Sequence, residues 1–263
     1  MKRICIVGMG WLGKELAVAL KKKGFTVTGT TSTESKLSDL KRVVDKVELF
    51  DLNGKGQKVE GEFDFIVYTV PPSSSSAYAE LSSELIQKMS KTNPKAAWVY
   101  TSSTSVYGND EREVAENSEV EPQSDSAKKI VQVEQYLKSH TENWSVVRFG
   151  GLVGGARHPV KYLAGRTGIS KPLSPVNLLH REDAVYAIVH LIEHFKAGIY
   201  NLCSDGHPRK KDYYNQVAKE NNFTKIEFDE EDFSRDKVVT CSAIKKIGFE
   251  FKYTSPYEFQ FEP

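Results

Sequence analysis

Three glycines at fixed spacing, Gly8-Met9-Gly10-Trp11-Leu12-Gly13, stand between the apolar run Arg3 to Val7 and a helical stripe of Leu12, Leu16, Ala19 and Leu20. A G-x-G-x-x-G pattern carries little information alone, but placed after a strand and at the head of a helix it specifies a dinucleotide-binding turn. Gly8 permits the tight turn, Gly10 lets the backbone approach a pyrophosphate, and Gly13 lets the helix pack close to the strand. The free N–H groups and positive dipole end of that helix then face the phosphates.

The rest of the chain repeats the alternation. Strands are expected at Arg3 to Val7, Phe25 to Thr30, Lys46 to Phe50, Phe63 to Thr69, Ala96 to Thr101, Ser145 to Phe149 and Ile199 to Leu202. They are short and almost wholly apolar, as strands covered on both faces are. Helical stripes separate them: Leu81, Leu85, Ile86 and Met89; Ala127, Ile130, Val131 and Leu137; and Val185, Ile188 and Ile192, the last ended by Gly198. This order predicts an α/β fold, a Rossmann-type doubly wound parallel sheet with a smaller C-terminal substrate lobe. Gly150, Gly151, Gly154, Gly155, Gly165 and Gly168 crowd a stretch of weak periodicity, read as loops leaving the sheet. The expected division is 1–150 for the dinucleotide domain, with about 176–202 returning to it, and 151–175 with 203–263 for the substrate lobe.

Composition narrows the partners. Among 263 residues, 36 Lys and Arg against 35 Asp and Glu give no electrostatic case for nucleic acid. Cys5, Cys203 and Cys241 lie far apart and suggest neither a disulfide framework nor a zinc ribbon, which fits a reducing, cytoplasmic setting. Glycines interrupt the N-terminal apolar run, arguing against a signal peptide, and no stretch has the ~18 apolar residues of a membrane span. The expectation is a monomer or homodimer acting on a small molecule, away from membranes.

The end of the second strand chooses between cofactors. NAD enzymes usually place a carboxylate there for the ribose hydroxyls. Here the strand runs Gly29-Thr30-Thr31-Ser32-Thr33, with no carboxylate before Glu34, and Thr31, Ser32 and Lys36 offer hydroxyls and charge to a 2′-phosphate. NADP is therefore expected over NAD. Asp51 and Leu52 are placed at the adenine, and Trp11, Leu12, Thr69 and Pro71 complete the expected cofactor set.

Beyond the glycine loop, Val99-Tyr100-Thr101-Ser102-Ser103-Thr104-Ser105-Val106-Tyr107-Gly108 resembles the S-S-x-x-V-Y-G segment of the extended short-chain dehydrogenase/reductases, the NAD-dependent epimerase/dehydratase family. Arg148 to Gly154, Asn177 to Asp183, Tyr200-Asn201-Leu202 and Lys246 to Phe249 are similar to later landmarks of that family in order and spacing. The resemblance implies hydride chemistry run by a Ser/Thr, a Tyr and a Lys in Y-x-x-x-K. In that chemistry the Lys and the cofactor's positive charge lower the phenol's pKa, and the Ser/Thr hydroxyl orients the substrate oxygen.

Ser103 matches the Ser/Thr position, but no tyrosine lies between Gly108 and Gln135. Counting back from Lys128 puts Ser124 in its place; counting from Glu134-Gln135 puts Ser126 there and Ile130 in the lysine place. A serine hydroxyl is a far weaker acid than a phenol, and the chain resembles the atypical branch of the family. Three substitutes are open: Tyr107; His158 or His180, whose imidazoles titrate near working pH; or Lys128 with a water held by Ser103. Arg157, His158 and Asn177 are candidate substrate contacts, Arg157 by its bidentate fork.

His190-Leu191-Ile192-Glu193-His194 spells H-x-x-E-H, but its helix follows a strand and buries Val185, Ile188 and Ile192, so no metal centre is expected. The acidic run Asp229 to Asp232 reads as a solvated face. Two functions follow: an NAD(P)-dependent oxidoreductase or epimerase-like enzyme for a small polar, sugar-like substrate, or a non-catalytic dinucleotide-binding or redox-sensing protein.

Overall fold

The computed structural model describes residues 1–54 and 59–259. Its centre is a seven-stranded sheet made of β1 (Arg3–Val7), β2 (Thr26–Thr31), β3 (Lys46–Leu49), β4 (Phe65–Tyr68), β5 (Ala97–Ser103), β6 (Trp144–Phe149) and β7 (Gly198–Leu202). The strand order is β7-β6-β5-β4-β1-β2-β3. β1 pairs in parallel with both β2 and β4, Ile4 facing Val27 on one side and Phe65 on the other. Every residue of β4 is buried, and so is β1 from Ile4 to Val7. The uninterrupted apolar runs of the sequence thus follow from two covered faces.

The longer helices are α1 (Trp11–Lys22), α2 (Tyr78–Thr92), α3 (Asp125–His140), α4 (Arg181–Glu193) and α5 (Lys210–Glu220). The first three bury most of their expected stripes, Leu12, Leu16 and Leu20; Leu85, Ile86 and Met89; Ala127, Ile130, Val131 and Leu137, while Ala19 and Leu81 are only half-buried. No described helix is long and apolar enough to cross a membrane.

The chain divides into two compact units. The first comprises Met1–Val106, Ser124–Arg148 and Val185–Ile199; the second comprises Tyr107–Gln123, Phe149–Ala184 and Tyr200–Pro263. Residues 107–123, 149–150, 176–184 and 200–202, expected with the dinucleotide domain, fall in the second unit. The glycine-rich stretch is also more ordered than its composition suggests. Gly151–Val153 pairs in parallel with Leu178–His180, and a side-chain carbon on Gly150 would stand 2.7 Å from Asn177 O. Glycine here permits two backbones to approach, and three-residue strands are too short to show a period. The second unit packs Val153, Val160, Leu178, Tyr213 and Phe228 into its own core.

In the first unit, a buried ion pair ties helix to sheet. Arg148 on β6 donates Nε to Glu134 Oε1 at 3.0 Å and Nη2 to Glu134 Oε2 at 2.6 Å, and Ser102 Oγ on β5 donates to Glu134 Oε1 at 2.6 Å. Both charged side chains are essentially sealed from solvent, so their orientation is fixed by these bonds. This fixes α3 against the strand that ends in Ser103.

Candidate cofactor site

The chain leaves β1 through Gly8, whose φ of +104° favours glycine. Gly8 N donates to Thr30 Oγ1 at 3.0 Å, Met9 N donates to Thr30 O at 2.6 Å, and Thr69 Oγ1 donates to Gly8 O at 2.6 Å. The turn is thereby held by the ends of β2 and β4, one on either side of it. Gly13 packs directly behind: an added carbon there would collide with Gly8 O. Gly10 differs, because a carbon added to it meets nothing within 4 Å.

Gly10 is also the N-cap of α1. It has no side chain to cap the helix, and no acidic residue occupies the first turn. An open approach to an uncapped helix N-terminus suits a pyrophosphate, whose oxygens would accept from the first-turn N–H groups. The turn opens onto a cleft of about 240 Å³ bordered by Gly8, Gly10, Thr31, Lys36, Asp51 and Thr69, among others. Phe50 and Leu52, both buried, give the cleft an apolar wall suited to a base.

At the end of β2, Thr31 Oγ1 accepts from Thr33 N at 3.2 Å, curling the chain so that Ser32, Thr33 and Lys36 border the cleft while remaining exposed. Glu34 is not among the lining residues. Across the cleft, Asp51 Oδ1 accepts from Asn53 N at 3.0 Å and Nδ2 at 3.2 Å, and Asn53 Nδ2 also donates to Ser74 O at 3.0 Å. Asn53 thus links the loop after β3 to the loop carrying Pro71 and Ser74, both of which line the cleft.

The residues proposed for chemistry sit in quite different surroundings. Ser103, at the end of β5, is half-buried, and its Oγ accepts from Ser105 N at 3.1 Å. Lys128 lies exposed in the first turns of α3. Ser124 is the N-cap of that helix, its Oγ accepting from Ala127 N at 3.2 Å, and Ser126 is exposed two residues on.

In the second unit, Tyr107 is fully buried and its hydroxyl donates to Asn201 Oδ1 at 2.8 Å. His158 is buried too. Its Nδ1 accepts from Val160 N at 3.1 Å, so the ring proton is on Nε2, which donates to Tyr213 OH at 2.9 Å. Burial lowers its pKa from 6.5 to about 4. His180 Nδ1 accepts from Glu182 N at 3.3 Å, its ring packs on Tyr253 and Phe259, and burial pushes its pKa down. Asn177 Nδ2 donates to Lys237 O at 2.8 Å while its Oδ1 accepts from Val239 N at 2.9 Å. Arg157 is exposed and its backbone pairs with Gly154.

Comparison with known proteins agrees with this geometry. Residues 3–121 match the family described as the NAD binding domain of 6-phosphogluconate dehydrogenase. Over 97% of the chain and 98% of the relative, the sequence is 30% identical to Protein YeeZ of Escherichia coli K12. The chain belongs to the YeeZ family of NAD(P)-binding Rossmann proteins. The cofactor is NAD(P), and the cleft at the glycine turn is its candidate site. In this fold, a conserved protein of unknown function from Silicibacter pomeroyi superposes with a TM-score of 0.79 at 22% identity, covering 97% of this chain and 95% of that one. UDP-glucuronic acid 4-epimerase from Bacillus cereus, solved with NAD, gives 0.76 at 16% identity over 93% and 89%. UDP-glucose 4-epimerase of Thermotoga maritima gives 0.77 at 12% over 95% and 94%.

Of the residues expected to contact the cofactor, Gly8, Gly10, Thr31, Ser32, Asp51, Leu52, Thr69 and Pro71 line this cleft. Trp11, Leu12 and Gly13 do not. They belong to the helix behind the turn, where Leu12 and Gly13 are buried. Thr30, which holds Gly8 and Met9, was not singled out by the sequence, because a threonine inside a strand is indistinguishable from an ordinary β-former. The candidate acid and substrate residues Tyr107, His158 and Asn177 each make hydrogen bonds with partners within the second unit.

Proposed function

We propose that this YeeZ-family chain is an NADP(H)-dependent oxidoreductase or epimerase-like enzyme of the epimerase/dehydratase type, acting on a small polar, sugar-like substrate. The observation that carries the cofactor choice is the end of β2, where Thr31, Ser32, Thr33 and Lys36 border the cleft and Glu34 does not. Hydroxyls and an ammonium group accept a 2′-phosphate, whereas a carboxylate would repel it. The UDP-sugar epimerases of the same fold support a sugar-like substrate.

When bound, the dinucleotide supplies hydride transfer. The chain supplies the rest. The uncapped α1 N-terminus would hold the pyrophosphate, Phe50 and Leu52 would shelter the adenine, and Ser103 Oγ would orient the substrate oxygen. Lys128, exposed in the first turns of α3, would relay a proton through water to that oxygen. His180 Nδ1 accepts from Glu182 N, which leaves the ring proton on Nε2.

A second reading is favoured by Ser124. The residue standing where the phenol is expected has a structural task, capping α3, and Tyr107 is committed to Asn201. A dinucleotide-binding protein without turnover would look the same. Titration with NADPH and NADH, followed by a turnover assay on carbonyls and nucleotide sugars, separates the two. NADPH binding with turnover supports the enzyme, NADPH binding without turnover supports the non-catalytic reading, and tighter NADH binding overturns the NADP assignment.

A further inference from the structure

We infer that Tyr78 is a positioning residue of the dinucleotide cleft, its hydroxyl fixing the Val70 carbonyl and with it the wall that stands against the glycine turn. The inference rests on the reading of that cleft as the NAD(P) site. Beyond β4 the chain runs Thr69-Val70-Pro71-Pro72, and Thr69, Val70 and Pro71 line the cleft. Two successive prolines bring no backbone N–H, so this stretch cannot be pinned by their donors. It is held through its carbonyls instead. Ser74 N donates to Pro71 O at 3.0 Å, and Tyr78 OH donates to Val70 O at 3.0 Å.

The wall has little slack. A side-chain carbon on Gly8 would stand 3.1 Å from Val70 Cγ2 and 3.2 Å from Val70 N, so Val70 packs directly on the turn that approaches the pyrophosphate. A displaced Val70 would therefore press on that turn or open a gap beside it, and ligand contacts tolerate neither well.

Tyr78 is itself immobilised. It is the first residue of α2 and fully buried. Because its hydroxyl gives its one proton to Val70 O, it accepts from Tyr100 OH on β5, 3.1 Å away. The Tyr68 ring packs against both, edge-on to Tyr78 with centroids 6.4 Å apart and tilted against Tyr100 at 5.7 Å. Burial pushes the Tyr78 phenol up to about 12 and raises that of Tyr100, so both remain protonated donors near neutral pH. A chain of donation, Tyr100 to Tyr78 to Val70, thus carries the position of the sheet to the cleft wall. Tyr68 differs from Tyr78 in one respect that matters: its hydroxyl pairs with Ser82 Oγ at 2.6 Å, away from the wall.

That contrast supplies the test, in which NADPH affinity by fluorescence titration and melting temperature are measured for full-length wild type, Tyr78→Phe, Tyr68→Phe and Gly10→Asp. Tyr78→Phe keeps the ring but loses the bond to Val70, and should weaken NADPH binding by about 3- to 10-fold, the range of one hydrogen bond. Tyr68→Phe removes an equally buried hydroxyl from the same cluster, and should lower the melting temperature while leaving NADPH affinity at the wild-type value. A merely structural role for Tyr78 would move the melting temperature alone. Should Tyr78→Phe not fold, Tyr100→Phe decides, because it keeps Tyr78 but removes the donor that polarises its hydroxyl, and should weaken NADPH binding in the same direction. The inference is overturned if the deciding variant binds NADPH as the wild type does, or if Tyr68→Phe loses as much affinity. Gly10→Asp keeps the two readings apart: normal NADPH binding by that variant overturns the cleft assignment itself, whereas its loss of binding beside an unaffected Tyr78→Phe overturns the role of the tyrosine alone.

Discussion

Gly13 lies so close behind Gly8 that a methyl group on Gly13 would strike the Gly8 carbonyl oxygen, whereas a methyl on Gly10 would meet nothing within 4 Å. The two glycines of one motif thus have separable duties, packing for Gly13 and ligand access for Gly10. Gly13→Ala should lower the melting temperature, because neither backbone can yield cheaply. Gly10→Asp should leave the melting temperature nearly unchanged and abolish NADPH binding, through bulk and charge at the pyrophosphate. Thermal melts and fluorescence titration of both variants check this, and a Gly10→Asp protein that still binds would refute the pyrophosphate assignment.

Cofactor choice should reside in the exposed turn after β2. NADPH should bind more tightly than NADH at one fixed salt concentration, and raising salt should narrow the gap, since charges at exposed positions are screened. Ser32→Glu should reverse the preference by placing a carboxylate against the 2′-phosphate, and Lys36→Ala should weaken NADPH while sparing NADH. Calorimetric titration with both cofactors measures each effect.

The dinucleotide domain was largely legible because its devices are local. Strand, glycine turn and helix follow each other within Arg3 to Lys22, and the helical stripes announce their buried faces. The second unit was read less well because its logic is long-range. Asn177 bonds residues 60 and 62 positions away, and His158 finds Tyr213 at a separation of 55. A polar residue whose partner lies so far along the chain has the same sequence signature as a ligand-binding one. Arg148 and Glu134 illustrate the same point: the alignment landmark proved to be a buried structural pair.

That pair makes a stability prediction. Arg148→Met leaves the buried Glu134 carboxylate with the Ser102 bond and, at 3.5 Å, Lys138. Removing one member of a buried pair typically costs about 3–5 kcal/mol. The double variant Glu134→Leu/Arg148→Met should recover much of that loss, because no unpaired charge remains. Urea unfolding of the three proteins provides the comparison.

His158 predicts acid sensitivity. Its pKa is about 4 in the folded protein and 6.5 when unperturbed, so between those values the unfolded chain binds more protons. Stability from this group is complete above pH 6.5 and is lost as pH falls towards 4, with a slope of up to about 1.4 kcal/mol per pH unit. The cause is burial, which removes the imidazolium from water; a proton on Nδ1 would in addition face the Val160 N–H that Nδ1 now accepts. His158→Gln should flatten that part of the stability profile, measured by unfolding at a series of pH values, even if it lowers stability at neutral pH.

Catalysis supplies the last prediction. Ser124 caps α3 and Lys128 follows one turn later, its N–H donating to Ser124 O at 3.0 Å, so a tyrosine at 124 would stand on the lysine's side of the helix with the family's spacing. Ser124→Tyr should lose the cap, at about 1 kcal/mol. In return it should restore a phenol acid, whose contribution is typically about 10²- to 10⁴-fold. Ser126→Tyr keeps the cap, and so tests the other alignment without that penalty. The unmodified protein should show weak or no NADPH oxidation on ordinary nucleotide sugars. If it instead reduces a carbonyl substrate, and Ser103→Ala abolishes this while Tyr107→Phe does not, Ser103 and Lys128 operate without a phenol, as the buried Tyr107 hydroxyl already bonded to Asn201 requires. If neither tyrosine variant nor the wild type turns over while NADPH raises the melting temperature of all three, the chain acts by binding its cofactor and not by consuming it.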